Sequence, residues 1–328
     1  MKAAWFETFG TAEDVLHIGE QPKPEAGPGE VLVKMKTSGV NPSDVKKRGG
    51  SIPTLLDAGL VIPHSDGAGV IEAVGEGVDG SRVGQRVWVY QAQYARSLGN
   101  AAEFVTLNAN RAVLLPDTTS FAEGACLGIP AMTAHRGVFG DGPVTDKLVL
   151  ITGGAGRVGF YAIQWAKIGG ASVVATASNE ADQALCKELG ADFVINHRED
   201  NWGEAVLTVS QGRKVDRVVD VEFGGNLDEV LKCINMSGYI ATYASMAVPQ
   251  PQLPFFQMMY LDLTIRMVIV YGMPEAAKEH AIRDITAALS AGQLRHRIAF
   301  ELPFDDIKKS HELIEAAGFG GCVVVNID

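Results

Sequence analysis

Residues 151–160, ITGGAGRVGF, hold the densest chemistry in this chain. Gly154, Ala155, Gly156, Arg157, Val158 and Gly159 match the spacing G-x-G-x-x-G. Each glycine has a mechanical task. Gly154 permits the tight turn out of a strand, Gly156 lets the backbone approach a diphosphate, and Gly159 lets the following helix pack against that strand. The first turn of the helix then offers free N–H groups and the positive end of its dipole to the phosphates. The same motif also occurs in ordinary tight turns. Here an apolar run, Leu148 to Ile151, leads in, and a helix-compatible run with Val158, Ile163, Trp165 and Ala166 leads out. That context predicts a dinucleotide site. Arg157 either meets a phosphate with its guanidinium or stands solvated in the first turn, against the dipole.

The end of the next strand bears on which dinucleotide is bound. An NAD site usually places Asp or Glu about 20 residues beyond the glycines, on the ribose 2′-hydroxyl. This chain has Ala177, Ser178 and Asn179 there, all neutral. Glu180 comes slightly late and fits the first turn of a helix capped by Ser178 or Asn179. Ser178 and Asn179 can donate to a 2′-phosphate, and His197 and Arg198 follow the strand after that. The balance favours NADP, used as NADPH.

The elements that must position these groups are legible from Asp146 onward. KLVLITG, a helix near 157–169, ASVVATAS, a helix near 180–189 stopped by Gly190, DFVIN, DRVVDVEF, a helix near 226–235, GYIATYAS and LTIRMVIVYG alternate strand with helix. The pattern predicts a parallel sheet with helices on both faces, in a domain spanning 123–272. Ligands sit off the carboxyl ends of such strands, which puts Tyr243, Ser245, Val270, Tyr271 and Gly272 along the cofactor's path. Residues 1–122 instead carry short alternating or β-branched runs broken by Gly, Pro and Asn, and predict an antiparallel, barrel-like domain. Residues 273–328, with a long helix, a helix near 305–317 and a last strand GGCVVVNI, are expected to rejoin it.

Of 328 residues, 47% are apolar, enough to fill the cores of two domains. The net charge of −11 argues against nucleic acid or an anionic membrane surface as partner, since both reward positive charge. Cys126, Cys186, Cys233 and Cys322 are widely separated and read as reduced thiols in or near the core. The start has no apolar leader core, and no stretch reaches the ~20 apolar residues of a membrane span. A cytoplasmic protein acting on a small molecule is expected.

Several segments, kept in order, resemble one family: SGVNPSDVKKRGG (38–50), PHSDGAGVIEAVGEGV (63–78), GIPAMTAHRGV (128–138), VLITGGAGRVGFYAIQWAK (149–167) and ELGADFVINHRED (188–200). Together they resemble the medium-chain dehydrogenase/reductase superfamily, in its zinc-free quinone oxidoreductase (zeta-crystallin-like) branch, over nearly the whole chain. The resemblance implies an α/β Rossmann domain with a doubly wound parallel sheet, beside a GroES-like, partly closed barrel. It implies hydride transfer from NADPH to a quinone or another electron-poor acceptor. Asn41 and Asp44 would face the nicotinamide end of the cleft, and Thr133 would touch the nicotinamide region. Each also has a structural reading: Asn41-Pro42 as a turn, Asp44 as a helix cap, Thr133 bonded to its own helix backbone.

Zinc relatives carry Cys after their "G-V" and His before "E-G-A-G"; Asn41 and Ser65 stand there, and both are poor zinc ligands. His64 and Asp66 alone do not make a site. No metal is expected, and without a Lewis acid an alcohol is hard to polarise. Quinones and activated alkenes accept hydride through positioning. Many relatives have Tyr where this chain has Lys46, and GNAAEF brings Ala101 where relatives often have another Tyr. Loss of two rings makes an enone, acrylate or haloacrylate reductase the alternative, with Lys46 or Arg48 meeting a carboxylate. GFGGC also lacks the Lys or Arg that relatives carry near the cofactor phosphate, which counts against NADP. A crystallin-like structural or RNA-binding protein is the reading from another class; the acidic balance and the intact glycine loop oppose it. The apolar edge strand 263–272 invites pairing, and the family is commonly dimeric, so a homodimer through that strand is expected.

Overall fold

Leu148–Ile151 is four apolar residues long and every one is buried, the pattern of a strand covered on both faces. In the computed structural model, which describes residues 1–327, it lies inside a six-stranded sheet. The order is Phe193–Ile195, Ser172–Thr176, Leu148–Ile151, Val215–Asp220, Ile234–Thr242, Thr264–Met267, and all five pairings are parallel. The chain winds outward from Leu148–Ile151 to one side, then returns and winds to the other. That reversal places the topological switch point between Leu148–Ile151 and Val215–Asp220, where ligands of open α/β sheets bind. Helices Arg157–Ile168, Glu180–Glu188, Trp202–Val209 and Phe223–Cys233 connect the strands. Glu180–Glu188 stops at Gly190, whose φ of 100° suits glycine.

The edge strand is shorter than its sequence suggests. LTIRMVIVYG forms a ladder only over Thr264–Met267. Its neighbour ends at Thr242, paired with Met267, and the last backbone bond to it comes from Val268 N at 2.7 Å, so the ladder stops there. Val270–Gly272 closes into a 3₁₀ turn instead, with Val270 and Tyr271 buried.

The chain divides into two compact units, Met1–Ile129 with Ile282–Asp328, and Pro130–Ala281. These limits lie seven to nine residues beyond the sequence-based limits of 122 and 272, because helix Glu275–Ser290 runs unbroken across the second one. Among the described residues the first unit has a seven-stranded sheet. Glu30–Val40 is its axis, antiparallel to Asp66–Val74, to Phe104–Asn108 and to the last strand, Cys322–Asn326. Inward side chains, among them Val31, Val33, Val87, Val89, Val323 and Val325, are fully buried in one core. The short helix Pro42–Arg48 leaves the end of Glu30–Val40 and lies against helix Ile307–Ala316.

Candidate cofactor and acceptor sites

The turn after Leu148–Ile151 is built as a cradle. The left-handed position is Gly153, φ 62°, one residue before Gly154, to which the sequence assigned the tight turn. Gly154 serves packing: a Cβ there would sit 2.9 Å from Cys186 Sγ and 3.0 Å from Ala175 Cβ. A Cβ on Gly159 would collide with the Gly153 carbonyl, so only glycine lets the helix come this close. Gly156 is the N-cap of Arg157–Ile168 and no side chain caps that 12-residue helix. The first turn also carries no acidic residue. A helix start with no capping side chain, beside bare backbone, fits a diphosphate. Ala155 is buried, and Arg157 and Val158 are half-buried at the helix start.

Around the other strand ends the positions differ in what they have free. Ser178 is half-buried and Asn179 exposed. Asn179 is the N-cap of Glu180–Glu188, its Oδ1 accepting from Asp182 N at 2.9 Å and its Nδ2 donating to Asp182 Oδ2 at 2.8 Å, so that amide is committed to the cap. His197 is half-buried, with its pKa lowered by burial and by Arg198, and Arg198 is exposed. Tyr243 and Ser245 line a cavity of about 470 Å³ with Phe223, Thr242, Val268 and Ile269. Ser245 Oγ accepts from Gly224 N at 2.9 Å and donates to Val248 O at 2.6 Å. Burial, then the charge of Asp220, pushes the Tyr243 phenol up. Gly272 is exposed at the end of the 3₁₀ turn, off the strand on which the sequence had placed it.

Two acidic residues that the sequence left unmarked organise this edge. Asp220 Oδ1 accepts from Thr152 Oγ1 at 2.6 Å and Asn226 Nδ2 at 2.8 Å, which ties the two strand ends at the switch point. Glu222 accepts from Met246 N at 2.6 Å, Ala247 N at 3.0 Å and Val248 N at 3.3 Å. Its carboxylate thereby pins the loop that follows Ile234–Thr242. The only available signal was their place after a strand, in DVEFGG.

The first unit holds a buried polar cluster. Asn41 is the N-cap of Pro42–Arg48, and Asp44, three residues on, closes a capping box through Asn41 N→Oδ2 at 2.9 Å. Asp44 is thus the partner of the cap, where the sequence had read it as the cap itself. Asn41 Nδ2 donates to Asp66 Oδ2 at 2.9 Å, and Ile129 N donates to the same oxygen at 2.7 Å. Burial raises Asp44 to about 6 against the pull of Lys47, and raises Asp66 to about 8 against the bond from Ile129. Lys47 is lowered by burial, opposed by both carboxyls. Its Nζ donates to Gln93 Oε1 at 2.7 Å and Gln93 O at 3.0 Å.

Arg48 requires correction as a substrate contact. It is fully buried, and its guanidinium donates to Gly10 O, Glu315 and His311 Nδ1. No fork remains for a carboxylate. Lys46 is exposed on the same helix. The residue that reaches a cavity is Lys47, which with Gln93, Tyr94, Arg96 and Thr54 lines a space of about 420 Å³. Thr133 is buried within helix Met132–Phe139 of the second unit.

Arg48 also orders a chain of bonds. Its Nε can only donate, so His311 Nδ1 accepts, at 3.3 Å. His311 is then neutral with its proton on Nε2, directed at His64 Nε2, 2.9 Å away. His64 in turn donates from Nδ1 to Ser38 Oγ at 2.7 Å, and Ser38 donates to Asn100 Oδ1 at 3.0 Å. Burial lowers His64 to about 3 and His311 well below its ordinary value, as a chain of neutral imidazoles requires.

Asn41 and Ser65 are the positions that the family resemblance set against zinc ligands. Asn41 presents an amide nitrogen that donates to Asp66, and the Lys47 ammonium acts on the same carboxyl. An amide, a hydroxyl and a nearby cation do not fit a zinc ion, which takes thiolate, imidazole or carboxylate.

Comparisons with known proteins agree with this architecture. The family model described as zinc-binding dehydrogenase matches residues 158–287, and that of the alcohol dehydrogenase GroES-like domain matches 27–117. A zinc-type alcohol dehydrogenase-like protein of Schizosaccharomyces pombe is 30% identical over 92% of this chain and 92% of its own. Quinone oxidoreductase of Rattus norvegicus is 28% identical over 99% of this chain and 97% of its own. The structure of a mycobacterial protein complexed with NADPH superimposes with a TM-score of 0.86 at 27% identity, covering 99% of this chain and all of that one.

Proposed function

We propose that this chain, which belongs to the medium-chain dehydrogenase/reductase superfamily and to its quinone oxidoreductase-like branch, is an NADPH-dependent reductase of quinones or other electron-poor acceptors that works without metal. The observation that carries the reading is the uncapped helix Arg157–Ile168 behind a turn that tolerates no side chain at Gly159. The amides of 156–159 would hold the diphosphate, with the Arg157 guanidinium beside it. Ser178, His197 and Arg198 would meet the 2′-phosphate, in a strand end that has no acid to repel it. Tyr243, Ser245, Val270, Tyr271 and Thr133 would line the path to the nicotinamide end. When bound, reduced nicotinamide supplies hydride to an electron-poor carbon. The chain's part is to orient the acceptor, exclude water and deliver a proton. The NADPH-bound neighbour supports the choice of cofactor, and the Asn41–Ser65 pair supports independence from zinc.

A second reading, reduction of an enone or acrylate, draws on the Lys47–Arg96 cavity, whose cations suit a carbonyl or carboxylate. Met267 and Ile269 are exposed on the edge strand and the residues just after it, which supports a homodimer paired there. No described helix is long and apolar enough to cross a membrane. The test is oxidation of NADPH and NADH with 1,4-benzoquinone, 9,10-phenanthrenequinone, an enone and 2-chloroacrylate, beside metal analysis of the purified protein. NADPH with a quinone is expected to be fastest. Oxidation of neither cofactor, or one tightly bound zinc per chain, would refute the proposal.

A further inference from the structure

Among the described residues, one group of three metal-ligating side chains is gathered: His135, His280 and Asp284, whose ligand atoms all lie within 4.8 Å of one another. None of the three is a position that the family resemblance set against zinc ligands, and none has a part in the reductase reading. Two helices present them. His135 stands in Met132–Phe139, and His280 and Asp284 stand in Glu275–Ser290. The spacing i, i+4 puts the last two on one helix face, a turn apart. A simple histidine–carboxylate pair would need only those two. The third ligand comes from a helix far back in the chain. His135 is 2% exposed, and its ring is walled by Phe139 at 4.8 Å, His280 at 4.9 Å and Trp165 at 5.4 Å between centroids, which fixes it in place. His280 is exposed and Asp284 half-buried, so these two side chains have room to turn toward the fixed one. That freedom is used: bonds of about 2.0–2.1 Å at a tetrahedral ion set neighbouring ligand atoms about 3.4 Å apart, and rotation of the two outer side chains closes the remaining gap.

We propose that His135, His280 and Asp284 form a site for one exchangeable divalent transition-metal ion of the zinc, cobalt or nickel class. Two imidazoles among three ligands select such ions over magnesium and calcium, which prefer oxygen donors. A fourth position is left to water. The ion acts as a clip that ties helix Glu275–Ser290 to helix Met132–Phe139. It binds the folded arrangement and not the separated ligands of the unfolded chain, so it stabilises the fold by mass action. With two of its three ligands at or near the surface, the ion exchanges with solvent and yields to a chelator. It takes no part in hydride transfer, so the proposal stands independently of the reductase reading.

Cobalt(II) is the probe, because its visible bands report bound ligands directly. The full-length protein is stripped with EDTA, gel-filtered and titrated with cobalt chloride at neutral pH. A visible band that saturates at one equivalent is expected, displaced by zinc chloride and accompanied by a raised thermal midpoint. Magnesium chloride should produce neither effect. H280A should weaken cobalt binding at least tenfold, and the double variant H280A with D284N should abolish both the band and the thermal shift. His280 is exposed, so metal-free H280A should melt close to the metal-free unaltered protein. No saturable band in the unaltered chain overturns the proposal whether or not any variant folds. Cobalt held by the double variant as tightly as by the unaltered chain overturns the assignment to these residues. Metal that is lost with H280A while NADPH oxidation by a quinone continues supports the clip and leaves the metal-free reductase standing. Quinone reduction that stops when EDTA strips the metal and returns with zinc overturns the clip, and refutes the metal-free reductase with it.

Discussion

Replacing His64 with glycine should change how the protein tolerates acid. His64 lies at φ 74°, a conformation that costs a non-glycine residue roughly 1–2 kcal/mol, and it stays there because it bridges His311 and Ser38. Its pKa falls from 6.5 to about 3 on folding. A base whose folded pKa is depressed binds fewer protons in the native than in the unfolded state, so stability is present above 6.5 and lost as pH falls toward 3. Between pH 7.5 and 5 the loss for one such imidazole is about 2 kcal/mol, at 1.36 kcal/mol per pH unit below 6.5. Asp66 works in the opposite direction, because its folded pKa is raised, so the slope of the unaltered protein mixes both terms. The difference between variants isolates His64. At pH 7.5, H64G is expected to be less stable by roughly 1–2 kcal/mol, as lost hydrogen bonds outweigh the relieved backbone. By pH 5 the gap should have closed by about 2 kcal/mol. Urea unfolding of both proteins at several pH values measures this directly. A gap that stays constant from pH 7.5 to 5 would refute the neutral-imidazole chain.

Other outcomes follow from the same geometry. D66N should gain stability relative to the unaltered protein as pH rises from about 4 to 8, the sign opposite to H64G, because a raised acid pKa costs stability as that acid ionises; thermal melts in matched buffers show it. G159V should abolish the fluorescence change on NADPH binding, since the new side chain meets the Gly153 carbonyl. Lost binding with unchanged circular dichroism would locate the defect in the turn. G128A should destabilise the first unit by about 1–3 kcal/mol, because the new methyl meets Asp66 Oδ1; an unchanged urea midpoint would mean that carboxyl lies elsewhere. Charges at the edge, M267K with I269K, should convert a dimer to monomer in light scattering, and a dimer that survives would place the interface elsewhere.

The parallel sheet was legible because each of its strands is a local apolar run and each connecting helix a local amphipathic one. The glycine motif was legible for the same reason, although Gly153 rather than Gly154 makes the left-handed turn. The edge strand was misjudged because its length depends on where its neighbour ends. The acidic cluster was half visible: Asn41 and Asp44 lie three residues apart, but their partner Asp66 arrives from another strand. Arg48 and Lys47 are adjacent, and composition alone cannot say which faces the cavity. The answer lies in His311 and Glu315, 263 and 267 residues away, which hold one of the two.

The final strand has a consequence for how this polypeptide is made. Cys322–Asn326 pairs on one side with Glu30–Val40 and on the other with Ile298–Pro303, so a row of the first unit stays open until this strand, some 280 residues behind its partner, has been translated. Pro130–Ala281, by contrast, is one uninterrupted stretch and can consolidate while synthesis continues. Until then the nascent protein carries an unfinished, apolar β-edge, at the stage when wrong intermolecular pairing is most damaging. Truncations that remove only Cys322 onward should leave the nucleotide-type unit folded and drive the other into aggregates.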